Sequence, residues 1–194
     1  KLEEEERVKE EAADNRSVSE KFADCLILGD SITQGLYEYG VLDEANVQAD
    51  RGTEVSEVSS KKIEEHIKKA KEMKPEVLFL AYGMNDIEAQ NGNASGFVKA
   101  YKNVIEDLKE SLPDTKIYVN CILPAAQSAI ETRPLFANVP KFNQKLKKLC
   151  KKEKVTFIDN TDLVKQEYYA DDGIHMSPSY YTKWVDHMAE AAGL

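Results

Sequence analysis

Apolar runs and amphipathic stretches alternate along nearly the whole chain, and each change of period marks an element. Leu26-Ile27-Leu28, with Cys25 before it, predicts a buried strand that is cut short at Gly29-Asp30-Ser31. A weaker strand is expected near Asn46 to Ala49, ending at Asp50-Arg51-Gly52-Thr53. From Thr53 to Met73 the residues Val55, Val58, Ile63, Ile67 and Ala70 recur at approximately helical spacing, and Pro75 closes that helix. Val77 to Tyr82 is apolar throughout, as in a central parallel strand covered on both faces, and stops at Gly83-Met84-Asn85-Asp86. A polar stretch, Gln90 to Gly96, then precedes a helix of about Gly96 to Ser111 with Phe97, Tyr101, Val104, Ile105 and Leu108 on one side.

The second half keeps the rhythm. Lys116 to Leu123 predicts a fourth strand, ended by Pro124. Ala125 to Val139 has no clear period and predicts a long loop at the active edge. Pro140 to Lys154 predicts a basic-faced helix with Phe142, Leu146 and Leu149 inward, and Val155 to Asp159 a fifth strand. Asp171-Asp172-Gly173-Ile174-His175 predicts a loop. Ser177-Pro178 then starts a last helix, Ser as N-cap and Pro at the first helical position, which Gly193 stops after Ala192. Strands alternating with helices imply an α/β fold, a three-layer α/β/α sandwich around a five-stranded parallel sheet. The chain divides into a charged helix or linker over residues 1–21 and one domain over residues 22–194.

Composition narrows the partners. A chain of 194 residues with 42% hydrophobic content suits one domain with a full core. The net charge of −9 argues against nucleic acid and anionic membrane surfaces. No apolar run approaches the roughly 20 residues of a membrane-spanning helix, so no integral membrane segment is expected in this chain. Cys25, Cys121 and Cys150 form neither a disulfide framework nor a zinc pattern. The chain opens Lys1-Leu2-Glu3, and its acid-rich start would suit a stalk. The expected location is secreted or attached to a bacterial cell envelope in preference to the cytoplasm.

The strand ends hold the candidate chemistry. In a parallel sheet all strand C-termini share one edge, so Ser31, Gly52, Asn85 and the Asp172–His175 loop could converge there. A serine just after a strand, at a helix start, is placed to attack a carbonyl carbon beside free N–H groups. The plainer reading is that Asp30-Ser31 only caps a helix. Asn85 could likewise merely form a turn. Of three histidines, only His175 sits in a loop beside an acid. His66, in Glu64-Glu65-His66-Ile67-Lys68, is expected on a solvated helix face, and His187 to pack or face water. Asp30 and Asp86 are expected to make hydrogen bonds at loop bases. Arg51 either faces the site beside Gly52 or pairs with a surface acid.

Gly29-Asp30-Ser31, the isolated Gly52, Gly83-x-Asn85-Asp86 and Asp172-x-x-His175 resemble, in order, the four blocks of the SGNH (GDSL) hydrolases, over about Asp24 to the C-terminus. The resemblance implies a flavodoxin-like sandwich with Ser31 as nucleophile, His175 as its base and Asp172 orienting the imidazole. It further implies an oxyanion hole of the Ser31 N–H, the Gly52 N–H and the Asn85 amide, with no metal and no cofactor. Asp30, Tyr37 and Arg51 are added as substrate-binding candidates. The expected substrate is a small ester, foremost an O-acetyl group on carbohydrate. Lysophospholipase or thioesterase activity is the alternative, followed by a catalytically silent carbohydrate-binding domain. A metal phosphoesterase built on Asp30, Asp86, Asp172 and His175 would need a further ligand histidine at the edge.

Overall fold

The five apolar runs become five short parallel strands in the computed structural model, which describes residues 15–56 and 61–194. They are β1 (Cys25–Gly29), β2 (Val47–Ala49), β3 (Val77–Ala81), β4 (Lys116–Asn120) and β5 (Thr156–Ile158). Their order across the sheet is β2-β1-β3-β4-β5, every neighbouring pair parallel. All five residues of β1 are buried, as befits the strand between β2 and β3. The winding direction reverses between β1 and β3, and the crevice above such a reversal is where doubly wound sheets bind ligands.

Helices cover both faces. A one-turn α1 (Val18–Lys21), closed by a reciprocal Ser17–Glu20 capping box, precedes β1. α2 (Ser31–Glu38) follows β1 directly, α3 (Lys62–Met73) precedes β3, and α4 (Met84–Ala89) and α5 (Ala94–Ser111) follow it. α6 (Gln127–Thr132) and α7 (Val139–Glu153) lie between β4 and β5, and α8 (Pro178–Ala192) ends the fold. α5 packs on α3 and α7, and α2 packs on α8, the pairing expected of right-handed crossovers. A buried polar network anchors α8. Asn120 Oδ1 accepts from Trp184 Nε1 at 3.0 Å and Asn160 Nδ2 at 2.9 Å, and His187 Nδ1 donates to Asn160 Oδ1 at 2.9 Å. The three cysteines are free and buried, and burial pushes each thiol up to about 12. No described helix is long and apolar enough to cross a membrane.

The structure departs from the sequence expectation in four places. The helix expected from Thr53 begins only at Lys62, because the Val55 and Ser56 amides are captured by the distant Asp86 carboxylate at 3.2 and 2.9 Å. Val58 of the expected stripe lies outside the described residues. The expected loop of residues 125–139 holds α6 and a 3-10 turn, Pro134–Asn138, with Ala129 and Phe136 buried. The fourth strand pairs only to Asn120, though Cys121, Ile122 and Leu123 stay buried beyond it. His66 is fully buried, not solvated. Residues 1–14 of the expected charged segment lie outside the described residues.

Candidate active site

The turn from β1 to α2 sets the geometry. Asp30 is the N-cap of α2, its Oδ1 accepting the Ile32 N–H at 3.0 Å, and Ser31 is the first helical residue. The Ser31 N–H therefore has no carbonyl four residues back within its own helix to bond. Asp30 is only 3% exposed and holds this turn from within. Burial pushes its carboxyl up to about 7, against the pull of the Ile32 amide.

Ser31 Oγ lies 2.9 Å from His175 Nε2, and His175 Nδ1 lies 2.5 Å from Asp172 Oδ2. The carboxylate only accepts, so Nδ1 carries the proton and Nε2 is left to accept from the serine hydroxyl. The other carboxylate oxygen, Oδ1, accepts the Ile174 and His175 amides, both at 2.9 Å. Partial burial of Asp172 acts to raise its pKa, but the bonds from His175 and the two amides outweigh it and hold the carboxyl below its ordinary value. One short loop thus supplies both residues and their mutual orientation.

That loop is braced by the segment expected to be irregular. Ala126 N–H donates to Gly173 O at 2.8 Å, and Gly173 adopts φ +69°. A Cβ there would stand 3.0 Å from Ala126 Cβ and 3.1 Å from Ser128 Oγ, so glycine permits both the turn and the close approach of α6. Tyr169 Oη donates to Pro124 O at 2.8 Å, and Arg133 pairs with Glu88 of α4 through two bonds. The segment after β4 therefore ties the Asp172–His175 loop to the helix that carries Asn85.

The donor side is assembled from two turns. Gly52 follows β2 with φ +74° and no close neighbour at the place of a Cβ, and its N–H has no partner among the described residues. Asn85 Nδ2 donates to Thr53 O at 3.2 Å, which fastens the Gly52 turn to α4. A side-chain amide has two N–H donors, so this bond leaves one for a ligand. The neighbouring Asp86, fully buried, accepts from Val55 N, Ser56 N and Ser56 Oγ. Burial raises its pKa against those bonds. Asp86 fixes the loop, as expected of it.

The peripheral candidates divide. Arg51 Nη2 stands 3.5 Å from Glu38 Oε1 with its side chain 75% exposed, so it forms a surface pair. Tyr37, half-buried on α2, lines a surface groove with Glu44, Gln48, Asp50 and Lys69. Among the described residues no three His, Cys, Asp or Glu are gathered as a metal would need. Sequence reasoning missed the roles of Asp50, His66 and Arg133. For His66 a signal existed, since Ile63, His66 and Ala70 share one helical face.

A model of the GDSL-like Lipase/Acylhydrolase family matches residues 27–183. The chain belongs to this family. It is a carboxylic ester hydrolase of the GDSL type, and the match spans Ser31, Gly52, Asn85, Asp172 and His175. Solved structures place the GDSL-like chain in the same fold. A GDSL-like lipase from Bacteroides thetaiotaomicron VPI-5482 aligns with TM-score 0.69 at 16% identity, covering 97% of this chain and 96% of that one. A carbohydrate esterase family 3 protein from Talaromyces cellulolyticus aligns with TM-score 0.67 at 16% identity, covering 87% and 95%. An acetyl xylan esterase, AlAXEase, aligns with TM-score 0.63 at 20% identity, covering 86% and 98%. At such identities the likeness speaks for the fold alone. Comparison with curated protein sequences gives no match.

Proposed function

We propose that this protein is a serine esterase that removes small acyl groups, with O-acetylated carbohydrate as its substrate. The observation that carries the reading is the unbroken chain Ser31 Oγ–His175 Nε2 and His175 Nδ1–Asp172 Oδ2 at 2.9 and 2.5 Å. As Ser31 Oγ bonds to the ester carbonyl carbon, its proton passes to His175 Nε2, and the carbonyl electron pair moves to oxygen. The Ser31 N–H, the Gly52 N–H and the second Asn85 N–H receive that oxyanion. Asp172 stabilises the imidazolium. Collapse breaks the ester C–O bond, and His175 returns the proton to the leaving alcohol. Water, deprotonated by His175, then cleaves the acyl-serine and restores Ser31.

The carbohydrate preference is supported by what two structural neighbours are named for, a carbohydrate esterase and an acetyl xylan esterase. Tyr37, on the groove beside Asp50, is the aromatic we assign to sugar contact. The test is hydrolysis of p-nitrophenyl acetate, butyrate and octanoate by wild type and Ser31→Ala, followed by acetate release from acetylated xylooligosaccharides. Wild-type activity should fall with chain length, and Ser31→Ala should lose about 10⁴-fold or more while staying folded. Near-normal hydrolysis by Ser31→Ala would remove the nucleophile assignment. Activity rising with chain length would replace the small-acyl reading with lysophospholipase or thioesterase.

A further inference from the structure

A second hydroxyl–imidazole–carboxylate chain lies inside the molecule, and no step of ester cleavage uses it. His66, on α3, is 0% exposed. Its Nδ1 lies 2.7 Å from Tyr82 Oη and its Nε2 lies 2.8 Å from Asp50 Oδ2. The carboxylate only accepts, so Nε2 holds the hydrogen and Nδ1 accepts from the Tyr82 hydroxyl. Burial lowers the His66 pKa against the pull of Asp50, in keeping with a neutral ring.

Asp50 is the first residue of the turn that presents Gly52. Its carbonyl accepts Thr53 N–H at 3.2 Å and Thr53 Oγ1 at 2.8 Å, and its own N–H donates to Gly29 O at 3.4 Å, next to the Ser31 turn. Lys62, one helical turn before His66, donates to Arg51 O at 2.7 Å, so α3 grips the turn at two successive residues. Gly52 itself has only Lys62 Nζ, at 3.9 Å, near the place of a Cβ. Its position is therefore set by bonds made by its neighbours, with His66 and Lys62 on one side and Asn85 on the other.

We propose that His66 is a positioning residue for ester hydrolysis, which, held by Tyr82, locks Asp50 and so aims the Gly52 N–H at the oxyanion. This rests on the reading of Gly52 as an oxyanion donor. Within that reading, loosening the turn weakens an interaction made in the transition state and leaves ground-state binding nearly alone. Asp50, whose side chain is 47% exposed, can be truncated without opening the core.

The experiment compares p-nitrophenyl acetate kinetics of wild type, Asp50→Ala, His66→Leu, His66→Gln and Ser31→Ala, each with its melting temperature. Asp50→Ala should lower kcat about tenfold or more, by analogy with losses on removing residues that orient a catalytic group, with KM within about twofold and only the modest drop in melting temperature that an unpaired His66 Nε2–H entails. His66→Gln, whose amide can still donate to Asp50, should recover much of the kcat lost in His66→Leu. Wild-type kcat in Asp50→Ala would overturn the proposal, as would equal losses in His66→Leu and His66→Gln. Ser31→Ala separates the two readings. If it stays active, the esterase mechanism itself fails. If it is dead while Asp50→Ala matches wild type, only the positioning role of His66 fails.

Discussion

Two imidazoles in this molecule have the same partners and opposite surroundings. His175 stands between the Ser31 hydroxyl and the Asp172 carboxylate with its side chain 44% exposed. His66 stands between the Tyr82 hydroxyl and the Asp50 carboxylate with none of its surface exposed. The inventory of groups therefore does not distinguish a reactive chain from a supporting one. Placement does. Ser31 opens a helix at the sheet's C-terminal edge, where amide donors face solvent, whereas Tyr82 is 2% exposed and burial holds its hydroxyl well above the usual range. In the readings proposed above, the same local chemistry acts on substrate in one setting and on backbone position in the other.

The largest test of that contrast removes one member from each chain. His175→Ala should reduce kcat about 10⁴-fold, whereas Tyr82→Phe should cost about tenfold, both measured on p-nitrophenyl acetate. Comparable losses would erase the distinction between base and support. A smaller effect probes the donor side that His66 serves. Asn85→Ala should lower kcat by about 10²–10³, since it removes both the oxyanion donor we propose and the tie to Thr53 O, and a loss confined to KM would contradict this.

The smallest test concerns Asp30, whose carboxyl feels His175 and in turn raises the Tyr82 hydroxyl. Its pKa rises from an ordinary 3.8 to about 7 on folding, chiefly through burial. A group raised in this way favours the fold fully at pH below its unfolded value, and that contribution is lost as pH climbs through the folded one. Asp30→Asn keeps an acceptor for the Ile32 amide and does not titrate. Relative to wild type, the variant should therefore gain several degrees of melting temperature between about pH 4 and about pH 8, at about 2–4 °C per kcal/mol. A difference that stays constant with pH would refute the assignment.

The parts of this architecture that were legible in the chain are those encoded locally. β1, β3 and α8 follow from continuous apolar runs and from Ser177-Pro178, and the Asp172–His175 pair needs only a three-residue offset. What sequence reading missed depends on partners far along the chain. The stretch from Thr53 carries a helical stripe, yet Asp86 captures its amides thirty residues away. The segment after Pro124 has no period because its buried residues, Ala129 and Phe136, are widely spaced and its polar anchors, Gly173 and Glu88, lie far along the chain. His66 was hidden by its charged neighbours, although its spacing from Ile63 and Ala70 marked the inner side of α3.

The strand order carries one more consequence. Ser31, Gly52 and Asn85 follow β1, β2 and β3, three adjacent strands, so the nucleophile and oxyanion donors we propose share one half of the sheet. The other half, β4 and β5, is joined to it by the β3–β4 pairing, by the segment after Pro124 and by the returning loop with Asp172 and His175. A change in the stretch between β4 and α7 would therefore reach Asp172 and His175 through the Ala126–Gly173 and Tyr169–Pro124 bonds, while leaving the pairing of β1 with β2 and β3 untouched.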